Sequence, residues 1–145
     1  MSGIKATGMF HMDVIDAATG KIIDSYTAHN LVVNLGKLNV CKLLGGDAAG
    51  HSLTKISVGT NGTAPALTNT AITGAFTKDI DSVAYSGNDI VRFVYTIATT
   101  EANGITIQEA GLLNSAGVLF ARKQRTPIVK TSAIALQGTW EIKIS

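Results

Sequence analysis

Few residues of this chain are spaced for chemistry. The three histidines, His11, His29 and His51, are scattered, and none forms the paired spacing of a metal site. His11 falls inside a strand pattern and His29 at a strand end, which reads as surface or structural use; His51 lies in a glycine-rich loop. Cys41 sits on the apolar stripe of a short helical pattern and reads as a small core hydrophobe. No neighbouring base marks it as a nucleophile. Asp79-x-Asp81 places two carboxylates on one side of a predicted strand, a wet face rather than a calcium loop, which needs more oxygen ligands and a turn. Glu101 and Glu109 form an acid pair without a supporting motif. Gly45-Gly46-Asp47-Ala48-Ala49-Gly50 follows a helix and lacks the Lys-Ser/Thr ending of a phosphate loop. Asn61-Gly62-Thr63 fits a glycosylation acceptor, but no secretion signal accompanies it. The reading yields no catalytic residue, no metal ligand and no cofactor site.

Contact chemistry is better represented. Arg122, Lys123 and Arg125, with Lys130, make the densest positive stretch. It suits a solvated strand edge guarding against aggregation, or a contact with an acidic protein neighbour or a phosphate. No interleaved aromatics support base stacking. Met9, Phe10 and Met12 bring residue types favoured at interface centres, although plain packing inside the chain is the favoured account of them. The candidate protein-interface residues are therefore Met9, Phe10, Met12, Arg122, Lys123 and Arg125.

The elements that carry these residues are mostly strands. Ile134, Leu136, Trp140, Ile142 and Ile144 share one parity, with Gly138 the single gap, which describes a strand with one dry face. Phe10, Met12 and Val14 alternate with His11, Asp13 and Ile15. Asp16 to Gly20 supplies a turn into a second strand through Ile22, Asp24 and Tyr26. Leu35, Leu38, Cys41 and Leu44 recur at helical spacing between a capping Asn34 and the Gly45-Gly46 stop, so one helix is predicted over about 34–44, with Gly36 as its weak point. Leu53 to Gly59, Ala75 to Tyr85, Ile90 to Thr99, Ile105 to Leu113 and Val118 to Lys123 complete the strands before the last one. Ser86 to Asp89 and Asn114 to Gly117 mark hairpin turns, and both prolines fall in apparent loops. Eight candidate strands at this turn spacing predict an all-β fold: a jelly-roll-like antiparallel β-sandwich of about eight strands with one short helix, an up-and-down barrel being the competing topology.

A chain of 145 residues is the size of one domain, read as 1–145. Its 15% charged residues fall below the roughly 25% usual for soluble domains. Mean hydropathy is positive without a membrane-length apolar run. Burial of apolar surface within an assembly explains this as well as a compact β-branched core does. A net charge of +2 is too small for a nucleic-acid footprint, and a single cysteine excludes an internal disulfide. Lys5 and Gly8 interrupt any signal-peptide pattern, which implies a protein made and used inside a cell or released by lysis.

Three segments resemble a known family. They are Asn30-Leu-Val-Val-Asn-Leu-Gly-Lys37 leading into a helix that ends in Gly-Gly; Ile56-Ser-Val-Gly-Thr-Asn-Gly-Thr-Ala-Pro-Ala-Leu-Thr-Asn-Thr-Ala-Ile72; and Ile107-Gln-Glu-Ala-Gly-Leu-Leu113 with Leu119-Phe-Ala-Arg122, Pro127 to Thr131 and the Trp-containing final strand. Their order is similar to that in small structural proteins of tailed bacteriophages, and most like the cement proteins that decorate podophage heads, such as that of Bordetella phage. The resemblance covers most of the chain from about residue 30. It implies a virion protein on the capsid exterior, assembled in the host cytoplasm. Its partner would be the major capsid protein, the working unit a homodimer, with no direct nucleic-acid contact and no membrane. In its own terms the motif reads as a shaped scaffold: Gly59 and Gly62 permit a tight exit from a strand, Pro65 stiffens the loop, Glu109 bonds within the sheet and Gly111 lets another chain pass.

Three functional readings follow. The first is a capsid cement or decoration protein that binds across major capsid subunits and stabilises the head. The second is a tail or baseplate receptor-binding module, which predicts trimers and glycan binding, against which the few aromatics weigh. The third is a cupin-like enzyme, which needs clustered His and carboxylate ligands that the scattered histidines do not supply.

Overall fold

The computed structural model describes residues 3–145. The chain is an all-β antiparallel fold with one short helix. Its strands are β1 (Ala6–Asp16), β2 (Ile22–Val32), β3 (Leu53–Gly59), β4 (Phe76–Asp79), β5 (Ser82–Ser86), β6 (Ile90–Ile97), β7 (Thr106–Asn114), β8 (Leu119–Val129) and β9 (Ile134–Ile144). The helix, α1 (Asn34–Gly45), follows β2. The strands form one curled sheet in the order β4-β3-β7-β8-β2-β1-β9-β6-β5. Strand β2 belongs to both halves: its body pairs with β1, and Leu31 and Val32 pair with β8. The two halves close on a single core.

That core follows the alternation of the sequence. Phe10 and Met12 of β1, Phe93, Tyr95 and Ile97 of β6, and Leu136, Trp140 and Ile142 of β9 are buried. Phe10 packs edge-on to Trp140 at 5.0 Å and stacks on Tyr95 at 6.2 Å. The gap at Gly138 has a cause: the Tyr95 hydroxyl crosses it to donate to the His11 carbonyl at 2.7 Å, and a Cβ on Gly138 would overlap that carbonyl oxygen. The turn at Asp16 forms as read, with Gly20 at φ +70° and the Asp16 carboxylate accepting from the Thr19 N–H.

Three expectations change. The segment Ala75–Tyr85 is two strands, making nine among the described residues, because it passes from one half of the sheet to the other. The Ile80 N–H donates to Thr54 and the Asp81 N–H to Val94, which breaks the ladder between β4 and β5. Pro127 lies inside β8 rather than in a loop. Register shifts between Ile107 and Glu109 of β7, and Pro127 falls in the irregular stretch opposite, where a missing N–H costs no ladder bond. The helix forms where predicted but turns the other way. Its buried residues are Gly36 and Asn39, whereas Leu38, Cys41 and Leu44 are exposed. Gly36 sets this orientation, since a Cβ there would overlap the Phe120 carbonyl of β8. Asn39 locks it: its side chain donates to the His51 carbonyl at 2.9 Å and accepts from the His51 N–H at 3.0 Å. Cys41 is thus not a core residue. Asn34 opens the helix without capping it; Val33 occupies the cap position. Gly46 in the left-handed region ends it, as the Gly-Gly stop predicts.

Candidate interaction surface

The residues named from sequence as contacts are mostly enclosed. Phe10 and Met12 are core. Arg122 is buried against Glu109, its Nε donating to Oε1 at 2.9 Å. Arg125 is buried beneath Tyr26, its guanidinium 5.4 Å from the ring centroid and 3.3 Å from the Met12 sulfur. Lys130 is buried too. Its ammonium donates to the carbonyls of Thr99 and Thr131 at 3.4 and 3.0 Å and to Asn103 Oδ1 at 2.9 Å. Burial draws its pKa below the ordinary lysine range, against the pull of Glu101. Phe10, Met12, Arg122 and Arg125 are therefore corrected from surface contacts to interior groups, because each is spent on partners within the chain. Met9 and Lys123 are half-buried and retain some access.

Glu109 and Arg122 organise the long loop between β3 and β4. Glu109 Oε2 accepts the N–H groups of Asn61 at 2.6 Å and Thr73 at 3.2 Å. Arg122 reaches the Asn61 and Thr63 carbonyls at 2.9 and 3.0 Å and Asn69 Oδ1 at 3.2 Å. Ile72 then lies over Gly111, where a Cβ would stand 2.7 Å from its Cγ1. The pair is closed to solvent with its oxygens occupied, so it is a fastener for the loop and offers nothing to a ligand.

Several other titratable groups also have local partners. His11 bridges Thr27 Oγ1 at 2.6 Å and Asp13 at 3.0 Å. The Ser25 hydroxyl and His11 hold the Asp13 carboxyl below its usual range. Asp79 pairs with Lys55 at 2.7 Å and Asp81 accepts from Thr96 at 2.7 Å, so the Asp-x-Asp carboxylates are split between the two halves of the sheet. Lys78 and the Ala98 N–H lower the Glu101 carboxyl. Among the described residues no group of three or more His, Cys, Asp or Glu side chains converges, and no helix is long and apolar enough to cross a membrane.

What the surface does present is apolar. Cross-strand rows run over the inner face of the sheet: Val83, Phe93, Trp140 and Phe10 in one, Tyr85, Val91 and Ile142 in the next. The β9 and β6 members are covered, but the β5 members overhang the second half of the sheet. Val83 is 45% exposed and Tyr85 79%. At the same end Ile144, opposite Ala6, is half open, and Ile4 and Leu44 are more than four-fifths exposed. Three grooves join along this rim. One of about 740 Å³ lies under Val83 and Tyr85; one of about 370 Å³ links Tyr85 to Ile144; one of about 560 Å³ runs from Ile144 past Ile4 to Cys41 and Leu44. The grooves are lined mainly by apolar side chains, with Asp79, Asp81, Asp89, Lys5 and Lys37 among them, and a largely apolar rim of this kind marks a contact surface.

Sequence reasoning missed this rim. Its signal was available in two places: the uncharged run Ser82 to Asn88, and the helical stripe Leu35, Leu38, Cys41 and Leu44, which was assigned to the core.

Fold and surface together define the class: a small all-β domain with one helix, a sealed polar interior and an apolar contact rim. No protein-family model matches the chain, and no curated protein or solved structure matches it.

Proposed function

We propose that this protein is a structural component of a bacteriophage virion, a cement or decoration protein that adheres across major capsid subunits and stabilises the head. The observation that carries the reading is the exposed apolar rim from Leu44 through Ile144 to Tyr85 and Val83, presented by a domain that holds Arg122, Arg125 and Lys130 in its interior. The order of the motifs from Asn30 to Trp140, similar to that of small phage structural proteins, adds the virion context. A cement protein works by contact area. One copy supplies roughly a standard interface of about 1,600 Å², and many copies spread that gain over the shell. The Glu109–Arg122 fastener suits the task, since it fixes the long loop in one shape before binding and lowers the ordering cost of association.

The test is addition of the purified protein to heads assembled without it. Saturable binding, density over the seams between capsomers in electron cryomicroscopy, and a raised temperature of head rupture are expected. Absence of binding, or density confined to the tail or baseplate, overturns the reading; the latter outcome together with trimers and glycan binding makes it a receptor-binding module.

A further inference from the structure

The curled sheet has two edges, and they are treated differently. Edge β4 carries charge: Lys78 is paired with Glu101 at 2.8 Å and Asp79 with Lys55 at 2.7 Å. Charged side chains are the usual protection of an edge strand. Edge β5 has none. Ser82-Val83-Ala84-Tyr85-Ser86 contains no charge, no proline and no bulge, and Ser82 through Tyr85 are all exposed. Beyond β5 no strand follows in the sheet, so half of its N–H and C=O groups point away from any ladder.

We propose that β5 is a homodimerisation strand, pairing antiparallel with β5 of a second copy about a twofold axis through Ala84. The residue types specify this partner because the strand is a palindrome in character. Centred on Ala84, the register sets Ser82 against Ser86 of the second copy, Val83 against its Tyr85, and Ala84 against Ala84. The two Val–Tyr pairs join a β-branched with an aromatic side chain, a favourable cross-strand combination, and no like charges meet within the strand. A twofold axis normal to the sheet also keeps inner face beside inner face. Val83 and Tyr85, which overhang their own domain, then cover one another, and the open grooves of the two copies run together. An unrelated strand would have no such symmetry to match. The isologous arrangement closes at two copies. A homodimer is also what the resemblance to phage structural proteins implies, but the assignment of β5 as its interface stands on the edge strand alone and does not depend on the virion reading.

A ribbon of five residues is smaller than a standard interface, so the dimer is weak, with a dissociation constant of about micromolar order. Sedimentation velocity from about 1 to 200 µM therefore follows the equilibrium. Ala84 is exposed and belongs to the outer parity of the strand, so A84K and A84E leave the core untouched; unchanged far-ultraviolet circular dichroism verifies this. Each variant alone places like charges across the axis and should weaken dimerisation at least about tenfold. Mixed together, A84K and A84E should restore a dimer. In a C41S background, A84C should oxidise to a covalent dimer. A wild-type protein that stays monomeric throughout the range overturns the proposal, as does a dimer indifferent to both charged variants.

Discussion

Replacing Glu109 by Gln exchanges one oxygen for an NH2 group and should cost a large part of the stability of this domain. The carboxylate serves three donors: Arg122 Nε at one oxygen, and the N–H groups of Asn61 and Thr73 at the other. An amide has one oxygen and one NH2 group. If its oxygen faces Arg122, the NH2 confronts two backbone N–H donors; if it is flipped, the NH2 confronts the guanidinium. Either way at least one buried donor is orphaned, at about 1–3 kcal/mol. The guanidinium, fully buried, also loses its counter-charge. Breaking one partner of such a pair costs about 3–5 kcal/mol, and we expect E109Q to fall in that range. Against a total stability of about 5–15 kcal/mol, this brings the domain close to unfolding at the weaker end. Urea unfolding followed by tryptophan fluorescence measures it directly, since Trp140 is the only Trp and lies in the core. The midpoint should fall with little change in slope. A companion variant, E109L/R122M, removes both charges and should cost less than the sum of the two single changes, although it leaves the N–H groups of Asn61 and Thr73 and the carbonyls of Asn61 and Thr63 unpaired. Proteolysis should then concentrate in the loop between β3 and β4, which has lost its fastener. An E109Q unfolding free energy within about 1 kcal/mol of wild type would refute the assignment of this pair as the anchor of the loop.

Three further outcomes follow from other parts of the molecule. Burial raises the Tyr95 phenol well above the ordinary tyrosine range, so the folded state holds its proton more tightly than the unfolded state; the associated stability is complete below about pH 10 and is lost as pH rises towards the folded value. Y95F should flatten that alkaline slope in thermal melts and cost about 0.5–1.5 kcal/mol for the bond to the His11 carbonyl. The lowered carboxyls of Asp13 and Glu101 act in the opposite window: their stabilisation is present above the ordinary carboxylate range near pH 4 and disappears as pH falls through the folded values, and S25A should weaken the Asp13 part of that dependence. Two glycines of α1 should respond with opposite sign. G36A should destabilise by about 1–3 kcal/mol despite better helix propensity, because its methyl group meets the Phe120 carbonyl, whereas G45A, with open space around it, should gain about 0.5–1 kcal/mol in the same denaturant assay.

How far the sequence anticipates this structure depends on what each residue's neighbours are. Strand periodicity is a local property, and the dry parity of β1 and β9 was readable because period-two burial needs only the chain's own pleat. The hairpin turns were readable for the same reason, with Gly20, Gly87 and Gly117 all at positive φ where their turns require it. The helix was readable in extent but not in orientation. An apolar stripe normally marks the buried face, and here it is overruled by Gly36, whose value lies in a contact with β8 more than 80 positions later in the sequence. The basic stretch failed on the same ground. Arg122 and Arg125 look like surface until Glu109 and Tyr26 arrive from other strands to receive them.

The two failures share one physical consequence. By turning Leu38, Cys41 and Leu44 outward and drawing Arg122, Arg125 and Lys130 inward, the fold exchanges the roles that composition assigns: cations become internal struts and aliphatic residues become surface. A domain that needed only to be soluble would gain from the reverse arrangement. The outward aliphatics gather at the rim shared by α1, the end of β9 and β5, while the other edge strand, β4, keeps its charges, Asp79 among them at the border of the groove under Val83. That asymmetry argues for a fixed direction of association. Charged substitutions on this rim, such as L44E or V83E, should leave the free energy of unfolding in urea within about 0.5 kcal/mol of wild type while abolishing the association that the rim mediates. Substitutions at the buried cations should do the opposite. A rim variant that unfolds the domain would place Leu44 or Val83 in the core and remove the basis for reading this surface as adhesive.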